Sequence, residues 1–97
     1  MTNVTLLYFD GCPNWQVADQ RLRELQDEVG FTVGYATVET PEEAARLGFA
    51  GSPTLLVEGV DPFATGEEAS GLACRVYATP EGPQGSPAVS QLRGVLT

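Results

Sequence analysis

A chain of 97 residues, 42% of them hydrophobic, is long enough for one domain with a single core and too short for a second. Its 13 acidic residues face five arginines and no lysine, and the resulting net charge of -8 repels phosphate backbones and anionic lipid, so neither nucleic acid nor a membrane is expected as a partner. The absence of histidine removes triads with a histidine base and the helical zinc-protease motif, and two cysteines leave a four-ligand zinc site without an obvious ligand set, so no metal or other cofactor is expected.

Met1-Thr2-Asn3 leads straight into a strand-like run with no basic or cleavable apolar leader, and no stretch approaches the roughly 20 apolar residues of a membrane span. A cytoplasmic protein is expected. In that compartment Cys12 and Cys74, far apart in the chain, are expected to be reduced thiols rather than a structural bridge.

Val4-Thr5-Leu6-Leu7-Tyr8-Phe9 is short, almost continuously apolar and reads as a central strand covered on both faces. From Pro13 the period changes: Trp15, Ala18, Leu22, Leu25 and Val29 form one helical stripe, with Asp19, Arg23, Glu24 and Asp27 facing water and Gly30 as the C-cap. Phe31 to Val38 reads as a second strand, and a crossover through one helix makes it parallel to the first. Thr40-Pro41-Glu42-Glu43 carries a threonine cap, a proline at the first position and a glutamate three residues on, which starts a short helix through about Leu47 with Ala44 and Leu47 as core contacts.

A loop, Gly48 to Pro53, leads into a third strand, Thr54 to Glu58. The polar stretch from Gly59 to about Ala73, which contains Asp61-Pro62-Phe63, is long enough to be either functional or mobile. Cys74 to Thr79 alternates as an edge strand antiparallel to the third; its Arg75 and Tyr77 share one face, which either shapes a second contact surface with the long loop or, as the plainer reading, is simply exposed. Pro80 to Gly85 reads as a turn-rich link, and Ser86-Pro87 caps a last helix with Val89, Leu92 and Leu96 buried.

Chemistry is expected at the junction Phe9-Asp10-Gly11-Cys12-Pro13-Asn14-Trp15-Gln16. Proline is favoured at the first helical position, which makes Cys12 the expected N-cap, with unpaired N–H groups and the positive end of the helix dipole aimed at its sulfur. A thiolate is favoured there, and the thiolate is both nucleophile and soft-metal ligand. The plainer alternative is a small half-buried residue that happens to precede a helix. Asp10, two residues before the sulfur, would raise the thiol's pKa or relay a proton, or be a solvated strand-end acid. Glu42, Glu43, Glu67, Glu68 and Glu81 read as surface charge.

A strand ending in a cysteine at a helix start, the order βαβαββα, and Ser52-Pro53-Thr54 opening the third strand together resemble the thioredoxin-like superfamily in its glutaredoxin-sized form, over nearly the whole chain. The resemblance implies one domain over 1–97, a four-stranded mixed sheet with helices on both faces, a third strand antiparallel to the first, and a cis peptide bond at Pro53. It also implies that Ser52 offers its N–H and C=O to an extended thiol substrate beside Cys12, with Pro13, Asn14 and Trp15 completing the positioning residues. Cys12-Pro13-Asn14-Trp15 departs from the superfamily's Cys-x-x-Cys in lacking the second thiol. Trp15, on the core-facing stripe, is expected to pack beneath Cys12.

If the last two strands form a hairpin, five residues at about 3.3 Å each put Cys74 some 16 Å from the site, beyond disulfide reach. A Cys12–Cys74 bridge is therefore disfavoured, and Cys74 reads as a half-buried core or edge thiol with at most an auxiliary role. The expected function is thiol–disulfide exchange, or acceptance of thiols or soft metals, through Cys12 alone, with a protein or low-molecular-weight thiol or disulfide as partner. Monothiol glutaredoxins also keep one cysteine, but their basic residue before the motif is replaced here by Asp10-Gly11. The alternatives are a non-catalytic interaction module on the same scaffold, and mercury or organomercurial handling; the latter follows from similarity to small bacterial thioredoxin-like proteins with Gly-Cys-Pro-Asn-Trp and Asp-Pro-Phe motifs, some labelled alkylmercury lyase.

Overall fold

The computed structural model describes residues 2–64 and 72–96. Residues 65–71 of the expected long loop, Glu67 and Glu68 among them, lie outside the described residues. The order is β1 (Thr2–Tyr8), α1 (Asn14–Gln26), β2 (Phe31–Thr37), α2 (Pro41–Leu47), β3 (Thr54–Val57), β4 (Tyr77–Thr79), β5 (Gly82–Gln84) and α3 (Val89–Leu96).

β1 is the middle strand of a mixed sheet ordered β2-β1-β3. It runs parallel to β2, from Thr2 opposite Phe31 to Tyr8 opposite Thr37, and antiparallel to β3, from Val4 opposite Val57 to Leu7 opposite Thr54. Because successive side chains leave a strand on opposite faces, this apolar run feeds two cores. Val4 and Leu6 join Ala18, Leu22 and Leu25 of α1, Leu55 of β3, and Leu92 and Leu96 of α3. Leu7 joins Val38, Ala44 and Phe49 on the side of α2. Helices thus cover both faces, and each fully buried leucine contributes on the order of 1.5–3 kcal/mol.

Local signals account for most of this, with corrections at the ends. Thr40 caps α2, its Oγ1 accepting from the Glu43 N–H at 3.1 Å, and Gly48 closes the helix at φ 70°. The expected core residue Leu47 is 37% exposed, and Phe49, two residues on, fills the core instead. α1 starts later than expected: Pro13 is its N-cap, helical in φ and ψ, and Cys12 stands one residue outside. The cause is a turn in which the Cys12 N–H donates to the Phe9 carbonyl at 3.3 Å, so that Asp10 and Gly11 are spent reversing the chain. Gly30 is not the C-cap; α1 ends at Gln26, and the Glu28 and Val29 N–H groups both return to the Leu25 carbonyl.

The largest correction concerns the fourth strand. Of the expected Cys74–Thr79 strand, Tyr77–Thr79 forms a strand, and its partner is β5, in what reads as a turn-rich link, while Cys74 makes an isolated bridge elsewhere. Among the described residues the pair forms a separate two-stranded sheet, not a fourth strand beside β3. Pro83 tolerates this place because a two-stranded ribbon leaves an edge where no N–H is needed. Among the described residues no helix is long and apolar enough to cross a membrane.

Arg93 of α3 donates to Glu28, just past α1, from Nε at 2.7 Å and Nη2 at 3.2 Å. These bonds, with the charge behind them, hold the Glu28 carboxyl below its ordinary range. A carboxyl lowered on folding adds stability above its unfolded pKa, and that stability is lost as pH falls through the lowered value. An Arg93→Gln chain is therefore expected to titrate Glu28 at higher pH than the wild type, as followed by side-chain NMR; an unmoved midpoint would show that the pair does not persist in solution.

Candidate functional site

The two cysteines form a disulfide, bridging 62 residues of sequence with their Cα atoms 5.7 Å apart. This overturns the expectation of reduced thiols held roughly 16 Å apart, and with it the reading of Cys74 as a half-buried, unbridged thiol. The hairpin behind that estimate does not form. Instead the chain at Cys74 passes Ser52 in parallel, making a one-residue bridge immediately before β3.

Ser52 is the hub. Its N–H donates to the Ala73 carbonyl at 2.8 Å and its carbonyl accepts from the Arg75 N–H at 3.0 Å, so both backbone groups are taken by the residues flanking Cys74. The Cys12 Sγ lies 3.7 Å from the same carbonyl. As a bridged sulfur it has no proton to donate, but a reduced thiol in that place would donate to Ser52. The Ser52 Oγ accepts from the Phe9 N–H at 3.4 Å, which ties the end of β1 to the same point. The Ser52–Pro53 bond is cis, and the Tyr77 hydroxyl donates to the Pro53 carbonyl. Thr54 braces the bend through Oγ1, donating to the Gly51 carbonyl at 2.6 Å and accepting from the Ala50 N–H at 3.1 Å.

The segment after Cys74 is anchored by side chains that sequence reasoning placed in solvent. Arg75 and Tyr77 are buried. Arg75 Nη1 meets Asp61 Oδ2 at 2.7 Å, Nη2 donates to the Phe63 carbonyl at 2.9 Å, and the guanidinium sits 4.5 Å over the Tyr77 ring. Asp61 also accepts from the Phe63 N–H at 2.9 Å, and the Phe63 ring meets Tyr77 edge to face at 5.6 Å. Asp61-Pro62-Phe63 was legible as a motif, but nothing in the local sequence pairs it with Arg75.

The close approach at Ser52 requires a glycine beside it. Gly51 has φ 109°, and a Cβ there would lie 2.8 Å from the Arg75 Cβ and 3.2 Å from its backbone nitrogen. Gly51→Ala therefore combines a left-handed backbone with a collision against the cysteine-bearing segment. A loss of about 1–3 kcal/mol is expected in denaturant unfolding, together with slower closure of the bridge on reoxidation; an unchanged midpoint would show that the two segments do not lie against each other.

The other expected site residues are dispersed. Asp10 and Pro13 are exposed in and after the turn. The Asn14 side chain packs against Gly85 so closely that a Cβ there would overlap it. Trp15, half-buried, stacks on Tyr8 with ring centroids 4.2 Å apart and packs against the larger core. Among the described residues no group of three or more ligating side chains is placed to hold a metal.

The bridge is asymmetric. Cys12 is 0% exposed, whereas Cys74 lies at the surface. Compared with protein-family models and with curated proteins, the chain matches none.

Proposed function

We propose that this is a thioredoxin-like protein acting in thiol–disulfide exchange, with Cys12 and Cys74 together as the redox couple. The observation that carries the reading is the bridge itself, which joins a cysteine before the first long helix to one docked against the Ser52 backbone before β3. The missing second thiol of Cys12-Pro13-Asn14-Trp15 is supplied from 62 residues away, so the single-thiol mechanism is no longer needed. An external thiolate opens the bridge through a mixed disulfide, and a second thiol releases the product. Cys12 lies one residue before the N-cap of a 13-residue helix, whose N-terminal dipole favours the anionic sulfur formed when the bridge opens. A chain without histidine has no imidazole to activate it.

The partner is a protein or small-molecule thiol or disulfide, and the cytoplasm is the compartment in which such a couple would cycle rather than remain closed. Equilibration of the bridge against glutathione redox buffers at pH 7 tests this. An exchange couple is expected to lie above about -300 mV, whereas a structural staple lies below it. A bridge that stays closed where glutathione is fully reducing would overturn the reading.

A further inference from the structure

We infer that Cys74, not Cys12, carries the sulfur that an incoming thiol attacks, and that Cys12 is the leaving group. This rests on the exchange reading above and assigns the order of events within it. Thiol–disulfide exchange needs the attacking thiolate to reach one sulfur of the bridge. Cys12 is 0% exposed, enclosed by the turn from Phe9 and by buried Ser52, whose carbonyl stands 3.7 Å from its sulfur. Cys74 is exposed, and its neighbours Ala73 and Val76 are exposed as well. A thiol approaching the folded chain therefore meets Cys74.

The thiolate R–S⁻ forms a bond to the Cys74 sulfur as the Cys74–Cys12 bond breaks, and the bonding pair leaves on Cys12 as a thiolate. The external thiol is oxidised to the level of a mixed disulfide on Cys74, and Cys12 is reduced. The helix end beside Cys12 favours the departing anion, and a sulfur that leaves more readily speeds exchange at its partner. Once Cys12 takes a proton from water, its S–H has the Ser52 carbonyl as acceptor. Cys74 meanwhile stays in place, because the flanking backbone bonds to Ser52 and the Arg75–Asp61 pair do not depend on the disulfide. Cys12 is then held beside the mixed disulfide, where it either re-forms the bridge and expels the thiol or waits for a second thiol to carry the product away.

The experiment uses the oxidised wild-type chain and glutathione as probe. Samples are acid-quenched at early times, free thiols are alkylated, and the position of the glutathione adduct is mapped by peptide mass spectrometry. The expected result is adduct on Cys74 with alkylated Cys12, at least tenfold over the reverse arrangement. Adduct on Cys12, or an even split, would overturn the assignment while leaving exchange through the pair intact. No adduct at either cysteine, with the bridge still closed, would remove the exchange reading and this inference with it. Reaction of the Cys12→Ser and Cys74→Ser chains with a symmetrical nitrobenzoate disulfide, which releases a coloured aryl thiolate on attack, supplies a second reading: the thiol left at position 74 is expected to react at least tenfold faster than the one left at position 12, and equal rates would also count against the assignment.

Discussion

Reducing the Cys12–Cys74 bridge is expected to lower the melting temperature by roughly 10–20 °C, a loss on the order of 2–4 kcal/mol for a domain of this size. The bridge spans 62 residues, nearly two thirds of the chain, so its opening restores most of the unfolded ensemble's freedom. Without the bridge, the described residues still hold the segment against Ser52 through the backbone bridge at Cys74 and the anchors around Arg75. The effect also constrains the chemistry, because whatever the bridge adds to the fold, the fold adds to the bridge: about 1.4 kcal/mol corresponds to 30 mV of the two-electron couple. A large melting shift with a potential no lower than that of the same couple in the unfolded chain would contradict this linkage. Calorimetry of oxidised and reduced protein, with Cys74→Ser as a chain that cannot reclose, measures it. Identical melting would show that the bridge does not restrict the unfolded chain enough to matter.

Arg75→Met is expected to destabilise the chain by about 3–5 kcal/mol, because it leaves the Asp61 carboxylate enclosed without its counter-ion. The side chains of Arg75 and Asp61 are 4% and 10% exposed, so water does little to screen the pair or replace it. The guanidinium also donates to the Phe63 carbonyl and lies over Tyr77, two interactions that methionine does not reproduce. Asp61→Leu combined with Arg75→Met removes both charges and is expected to recover part of the loss, since most of the cost in the single variant comes from the orphaned carboxylate. Urea unfolding of the single and double variants decides this. If the double variant is no more stable than Arg75→Met, the cost lies in lost packing and not in an uncompensated charge. In either variant the reoxidised bridge is expected to open faster to glutathione, because the same anchor holds Cys74 beside Cys12.

How much of this was legible in the sequence varies by residue. The stripe Ala18, Leu22, Leu25 states a helix and its buried face, and all three are buried. Thr40 and Glu43 state a helix start, and the cap bond is there. The apolar run before Phe9 states a central strand, and β1 feeds cores on both sides. Each depends on neighbours within a few residues. Cys12 was recognisable by its place before Pro13, and Ser52-Pro53 by its place before a strand, but neither pattern holds Cys74, whose position depends on Asp61, Phe63 and Gly51. The alternation from Cys74 to Thr79 pointed to an exposed face at Arg75. It misled because a buried ion pair over an aromatic ring looks, in sequence, like any charged and aromatic residue two apart.

The order of the first five elements, β1 to β3, and the parallel crossover from β1 to β2 are properties of the chain by itself, because helix and strand periodicity is written within single turns and pleats. Tertiary structure alone decided that the second sulfur reaches the first, that the last strands pair with each other and not with β3, and that Arg75 is buried. Those outcomes depend on one segment closing a 62-residue loop onto a glycine turn. The gain from that closure comes from backbone bonds to Ser52 and a charge pair with Asp61, partners that no spacing along the chain announces.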